Sequence, residues 1–234
     1  MLKPKIFFLH FAGGNKYSYN FIKPFLLNFE ICVLELPGRG DRIHEPLLNN
    51  FEEAANDLLR QILYQLSGEH FIIFGHSMGA ALAFYITYKL EKLGKKPLFI
   101  IESGNPGPGV VVRENYSSLG DDAFCDVLKK MGGIPEAFFY ELDLMNFYLP
   151  ILRSDFQIVD ETQFLVNFKV ASPIIAMMGE EEEYANSIAN WSKHTYSEFK
   201  EFVLKGGHFF IYMHPEAISR IINLNYGKYS VFSN

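Results

Sequence analysis

The segment Gly75-His76-Ser77-Met78-Gly79 constrains this chain more than any other, because one kind of secondary structure has to give way to another across it. Before it, His70 to Phe74 is rich in β-branched and aromatic residues and reads as a buried strand. After it, Ala80 to Leu93 opens on strong helix formers, Ala80, Ala81, Leu82 and Ala83. A strand that turns into a helix within five residues needs glycine at both flanks, where neighbouring backbone comes too close for a side chain. A serine at the centre of such a turn is lifted above the sheet edge, and the Gly-x-Ser-x-Gly spacing is that of a nucleophile elbow. A plain glycine-bordered turn fits the five letters but not their placement.

The rest of the chain repeats the strand-to-helix alternation. Candidate strands are Ile6 to Phe11, Ile31 to Leu36, Phe71 to Phe74, Leu98 to Glu102, Ile174 to Met178 and Glu198 to Leu204. Candidate helices are Tyr17 to Phe29, Phe51 to Ser67, Ala80 to Leu93 and Pro215 to Leu224. This order predicts an α/β-hydrolase fold: a mostly parallel sheet flanked by helices. With 234 residues, 49% of them hydrophobic, residues 1–234 form one domain with a sizeable core. From about residue 110 to 169 no strand is expected. The segment holds only helical patterns, Asp121 to Met131, Pro135 to Leu149 and Asp155 to Phe168, broken at Gly132-Gly133 and at Pro150. It is far longer than a crossover needs, and is read as a helical lid over the site.

A serine hydroxyl becomes a nucleophile only when a base takes its proton, and in this fold the chain order is serine, then acid, then histidine. His10, His44, His70 and His76 precede Ser77, and His194 and His214 sit in helix-like contexts. His208 remains, in Gly206-Gly207-His208 after the last strand candidate. The acid is less determined. Gly179 is followed by Glu180, Glu181, Glu182 and Glu183, any one of which can orient His208, and Glu102 at the end of an earlier strand competes with them. Adjacent carboxylates repel, so at least three of the four must face solvent. For the oxyanion formed on attack, one backbone N–H donor is expected at Met78 and a second from Phe11-Ala12-Gly13-Gly14 after the first strand.

Composition removes several alternatives. A net charge of −6 without a cluster of Lys and Arg argues against nucleic acid as a partner. No run approaches the apolar length of a membrane helix, and Ile6 to Phe11 is too short for a secretion signal. The two cysteines, Cys32 and Cys125, lie in apolar contexts and read as reduced structural thiols of a cytoplasmic protein, not as a disulfide or metal site.

Taken in order, the sequence then resembles the type II thioesterases, the stand-alone editing hydrolases of nonribosomal peptide and polyketide synthesis. The resemblance runs over nearly the full length: His10-Phe11-Ala12-Gly13-Gly14, Leu36-Pro37-Gly38-Arg39, the elbow, Leu152-Arg153-Ser154-Asp155-Phe156, Trp191 and Gly206-Gly207-His208-Phe209-Phe210. It implies Ser77 as nucleophile, His208 as base, and Met78 and Ala12 as oxyanion donors. The family's Gly-Asp-x-Asp becomes Gly179-Glu180-Glu181-Glu182 here, so Glu182 inherits the acid's role through a side chain one methylene longer. Phe11 stands where the family commonly has histidine, which implies a more apolar site entrance. The implied substrates are acyl or aminoacyl thioesters on the phosphopantetheine arm of an acyl or peptidyl carrier protein, hydrolysed by a monomer with no cofactor or metal of its own. A carboxylester hydrolase or medium-chain fatty acyl thioesterase of the same fold, or an inactive carrier-protein docking module, are the competing expectations.

Overall fold

The computed structural model describes residues 3–111, 115–134 and 136–231. Six strands, β1 (Lys5–Leu9), β2 (Glu30–Leu34), β3 (Phe71–His76), β4 (Ile100–Ser103), β5 (Ile174–Gly179) and β6 (Phe199–Leu204), form one sheet in the order β2-β1-β3-β4-β5-β6, every pair parallel. The chain enters the sheet at β1, steps outward to β2, then returns past β1 to β3. That reversal puts a crevice beyond the carboxyl ends of β1 and β3, where open α/β sheets place their ligands.

Parallel sheets carry helices on both faces, so their strands are apolar throughout instead of alternating. β3 is buried at each of its residues. Phe7, Leu9, Ile73 and Ile100 face a core shared with helices α1 (Phe51–Gln65) and α2 (Met78–Lys92), while Ile6, Phe8, Ile72 and Ile101 face the other side. That second core also takes Ile218, Ile221 and Ile222 of the C-terminal helix. Asn50 caps α1 by accepting from the Glu53 N–H.

Four expected helices differ. Tyr17 to Phe29 is not a helix but a series of turns with a short 3-10 helix at Lys23–Phe25. Pro24 removes a helical N–H there, and Asn15 and Ser18 side chains capture the N–H groups of Tyr17 and Asn15. The apolar residues still reach the core: Tyr19, Ile22, Leu26 and Phe29 are all buried. Between β4 and β5, α3 (Asp121–Met131) forms where expected, but the two patterns that follow do not: after a 3-10 helix at Glu136–Tyr140, α4 (Leu142–Asp160) runs straight through Pro150, and the stretch expected to stay helical to Phe168 becomes a 3-10 helix at Thr162–Asn167. Pro135, where the middle helical pattern begins, lies outside the described residues, as do residues 112–114. The C-terminal helix, α5 (Pro215–Ser230), is longer than its expected end at Leu224.

Candidate active site

Ser77 sits between β3 and α2 at φ 57° and ψ −113°, the one non-glycine residue with positive φ among those described. A backbone held in so sparsely populated a region costs about 1–3 kcal/mol and persists only where the surroundings enforce it. The two flanking glycines do so. A Cβ on Gly75 would collide with the Gly79 carbonyl, and one on Gly79 with the Leu9 carbonyl of β1. The Ser77 N–H donates to the Ser103 carbonyl of β4 at 2.8 Å, and the Asn105 side-chain amide donates to the Ser77 carbonyl at 3.3 Å.

His208 follows β6 and is part-buried. Its Nδ1 lies 2.7 Å from Oε2 of Glu182, on the turn after β5. The other oxygen of Glu182 accepts from the Gly179 N–H at 2.8 Å, so the carboxylate folds back over its own turn and its extra length is absorbed. Of the five carboxylates considered, the structure therefore brings Glu182 to the histidine. Glu180, Glu181 and Glu183 are exposed, and Glu102 is fully buried in β4 with neither oxygen hydrogen-bonded among the described residues. Burial pushes the Glu102 carboxyl well above the ordinary carboxylate range, towards the neutral acid.

His76, the residue before the serine, lies against His208: its ring centroid is 5.1 Å from that of His208. It is buried, with Nδ1 3.0 Å from the Ser103 hydroxyl, and desolvation, helped by the neighbouring His208, holds its pKa well below the usual range. Phe11 and Phe209 meet edge to face at 5.0 Å beside this pair, making the apolar wall that phenylalanine at position 11 implied.

The two candidate oxyanion donors converge on the same edge. Met78 is the first residue of α2, so its N–H has no partner within the helix. In the loop after β1, the Gly14 N–H donates to the Phe11 carbonyl at 2.9 Å and the Gly13 N–H to Asp155 at 2.7 Å, while the Ala12 N–H makes no hydrogen bond within the described residues. His10 supports the loop from below. Its Nδ1 donates to the Phe11 carbonyl at 2.9 Å and its Nε2 faces the Leu36 N–H at 3.4 Å, the arrangement of a neutral ring. Burial, with the Arg39 charge close by, lowers its pKa to about 4.

Sequence reasoning treated Arg39 and Asp155 only as letters of a family pattern. In the structure they form a buried bidentate pair, Nη1 to Oδ2 at 2.6 Å and Nη2 to Oδ1 at 2.7 Å, beside the loop after β1. An acidic residue at helical spacing gives no local sign of such a partner. Among the described residues no group of three or more His, Cys, Asp or Glu could hold a metal ion, and no helix is long and apolar enough to cross a membrane. Both cysteines are buried and unpaired.

The chain is similar to known proteins over most of its length. The chain is 30% identical over 211 residues, 89% of its length, to a probable cadicidin biosynthesis thioesterase of Streptomyces griseus, and spans 58% of that protein. The crystal structure of ClbQ from the colibactin NRPS/PKS pathway superposes with a TM-score of 0.90 at 25% identity, covering 99% of this chain and 100% of that one. The type II thioesterase BorB from the borrelidin biosynthetic cluster gives 0.84 at 29% identity, covering 95% and 92%. The thioesterase domain family model matches residues 4–226, the stretch that carries the elbow, the acidic turn and His208. By that match the chain belongs to the thioesterase domain family.

Proposed function

We propose that this thioesterase is of type II, freeing acyl or aminoacyl groups held as thioesters on the phosphopantetheine arm of a carrier protein. The observation that carries this reading is a strained Ser77 after β3 and a 2.7 Å His208–Glu182 pair after β6 and β5, all at the carboxyl ends of one parallel sheet, in a chain similar to ClbQ and BorB over 95% or more of its length. With Nδ1 engaged by Glu182, Nε2 of His208 is the nitrogen left to take the Ser77 proton. The serine oxygen attacks the thioester carbonyl carbon, and the oxyanion is stabilised by the N–H groups of Met78 and Ala12. Collapse breaks the C–S bond, and the departing sulfur takes the proton held by His208 and leaves as the thiol. Water then gives a proton to His208, attacks the acyl-enzyme, and the free acid leaves with Ser77 restored. The α3–α4 segment is assigned the part of a lid; its cluster of Phe124, Leu128, Leu152 and Phe156 packs against Ala12.

Turnover of an acyl-carrier protein, compared with a matched oxygen ester, tests the reading. Ser77→Ala is expected to remove at least about four orders of magnitude in kcat, and Glu182→Gln about three to four, by analogy with loss of a triad carboxylate. Glu102→Gln is expected to stay within about threefold, since its carboxyl does not touch His208. Faster cleavage of the oxygen ester would make the enzyme a carboxylester hydrolase instead.

A further inference from the structure

The N–H of Ala12 is useful as an oxyanion donor only if it points one way, and a peptide plane is free to rotate unless something holds it. Both planes around Ala12 are held. A trans peptide sets N–H opposite to the preceding C=O, so the Ala12 N–H direction follows from the Phe11 carbonyl. That carbonyl is fixed by two donors, His10 Nδ1 and the Gly14 N–H, each at 2.9 Å. The plane on the other side of Ala12 carries the Gly13 N–H, and its acceptor is Oδ2 of Asp155, 2.7 Å away and 142 residues further along the chain.

Asp155 is wholly buried and comes from α4, not from the sheet. Its two oxygens take three donors: the Gly13 N–H and Arg39 Nη1 on Oδ2, and Arg39 Nη2 on Oδ1. Arg39, itself 4% exposed, also directs Nη1 at the Gly14 carbonyl at 3.4 Å. Gly13 is at φ 77°, and a Cβ there would lie 2.6 Å from Leu152 Cδ2, one turn earlier on the same helix. The loop is therefore fitted to α4 by contact as well as by hydrogen bonds. Burying a charged pair is an expensive way to hold a helix, since a well-packed apolar pair would serve stability equally well. A carboxylate that must accept from a backbone N–H and from both arms of a guanidinium at once does something that an apolar pair cannot.

We propose that Asp155, locked by Arg39, is a positioning residue for catalysis: by holding the Ala12–Gly13 peptide through the Gly13 N–H it steadies the loop that presents the Ala12 N–H as oxyanion donor, so that helix α4 sets part of the oxyanion geometry. The proposal rests on Ser77 and the Ala12 N–H acting as described above. Asparagine at 155 has the same shape but one acceptor oxygen, and its amide N–H groups would face either Arg39 or Gly13.

The test uses Asp155→Asn, with the fraction of competent sites counted by fluorophosphonate labelling of Ser77. A short alkyl boronic acid serves as the second probe, because Ser77 Oγ adds to boron and places a boron-bound oxygen at the oxyanion position. Per labelled site, kcat is expected to fall about 10- to 100-fold with KM within about threefold, and boronate affinity to fall by a similar factor. A lower labelled fraction with kcat per site and boronate affinity both retained would reduce Asp155 to a structural role and overturn the proposal. Arg39→Lys keeps the charge but loses the fork, and is expected to give the same pattern more weakly; it decides the matter if Asp155→Asn does not fold. Should the wild-type protein fail to label or to bind boronate, the reading of Ser77 fails instead, and the two failures are distinguishable.

Discussion

Glu102, in β4, and Glu182, on the turn after the neighbouring β5, are carboxylates in opposite circumstances. Glu182 accepts from a backbone N–H and meets a histidine, whereas Glu102 is buried with both oxygens bare. A carboxyl held above its ordinary pKa keeps its proton in the folded state at pH values where the unfolded chain has lost it. Its contribution is thus complete below about 4.5 and is lost as pH rises above that. His10 works in the other direction. Its pKa falls from 6.5 to about 4 on folding, so stability is complete above 6.5 and declines as pH drops from 6.5 to 4, by about 3 kcal/mol at most. Wild-type stability should therefore peak between these two limbs. Glu102→Gln, which mimics the protonated acid, is expected to be more stable than wild type at pH 8 and indistinguishable from it near pH 4. Urea unfolding at three pH values measures this, and equal gains at all three would show that Glu102 is ionised in the fold.

At the scale of elements, α4 is two half-helices of different character. Residues 142–149 are mostly exposed, while Ile151, Leu152, Ser154, Asp155, Phe156, Ile158 and Val159 are buried. Three successive side chains of the inner half tie it to three segments: Arg153 to the carbonyls of Ser117 and Leu119, Ser154 to that of Leu48, and Asp155 to Gly13. These long-range bonds explain how the helix continues through Pro150, which removes one backbone hydrogen bond and costs about 3 kcal/mol in a helix interior. The sequence signal at Pro150 was real, but tertiary contacts outweighed it. Pro24 had no such contacts to oppose it, and there the local signal prevailed over the apolar spacing of Tyr17 to Phe29. Because Pro150 is exposed, Pro150→Ala is expected to raise stability by about 1–3 kcal/mol and to slow amide exchange chiefly in residues 142–149. Slower exchange spread evenly over 142–160 would argue against two separate halves.

Across the whole molecule, the parallel sheet gathers Ala12, Ser77, Glu182 and His208 on one edge because each follows a strand's carboxyl end. What could be read in advance followed from how local each signal was. The elbow and the loop holding His208 were legible because a few adjacent residues carry them. Glu182 could be singled out only through the family's register, since four equivalent glutamates follow Gly179 and only the fold decides which one turns inward. The Arg39–Asp155 pair was invisible as a contact, its members lying 116 residues apart with no pattern linking them.

The bond between Gly13 and Asp155 has a consequence in time. A contact that closes 142 residues of chain carries a large loop-closure cost and comes after more local structure has formed. The single tryptophan, Trp191, buried against Phe84 with its indole N–H on the Asn105 carbonyl, reports formation of the α2 core. During refolding from urea, the Trp191 signal is expected to recover before hydrolytic activity does, with Asp155→Asn leaving the fluorescence phase unchanged. The helix that follows Ser77 and its core partner Trp191 would thus be in place while the loop proposed to receive the oxyanion is not yet fastened to α4.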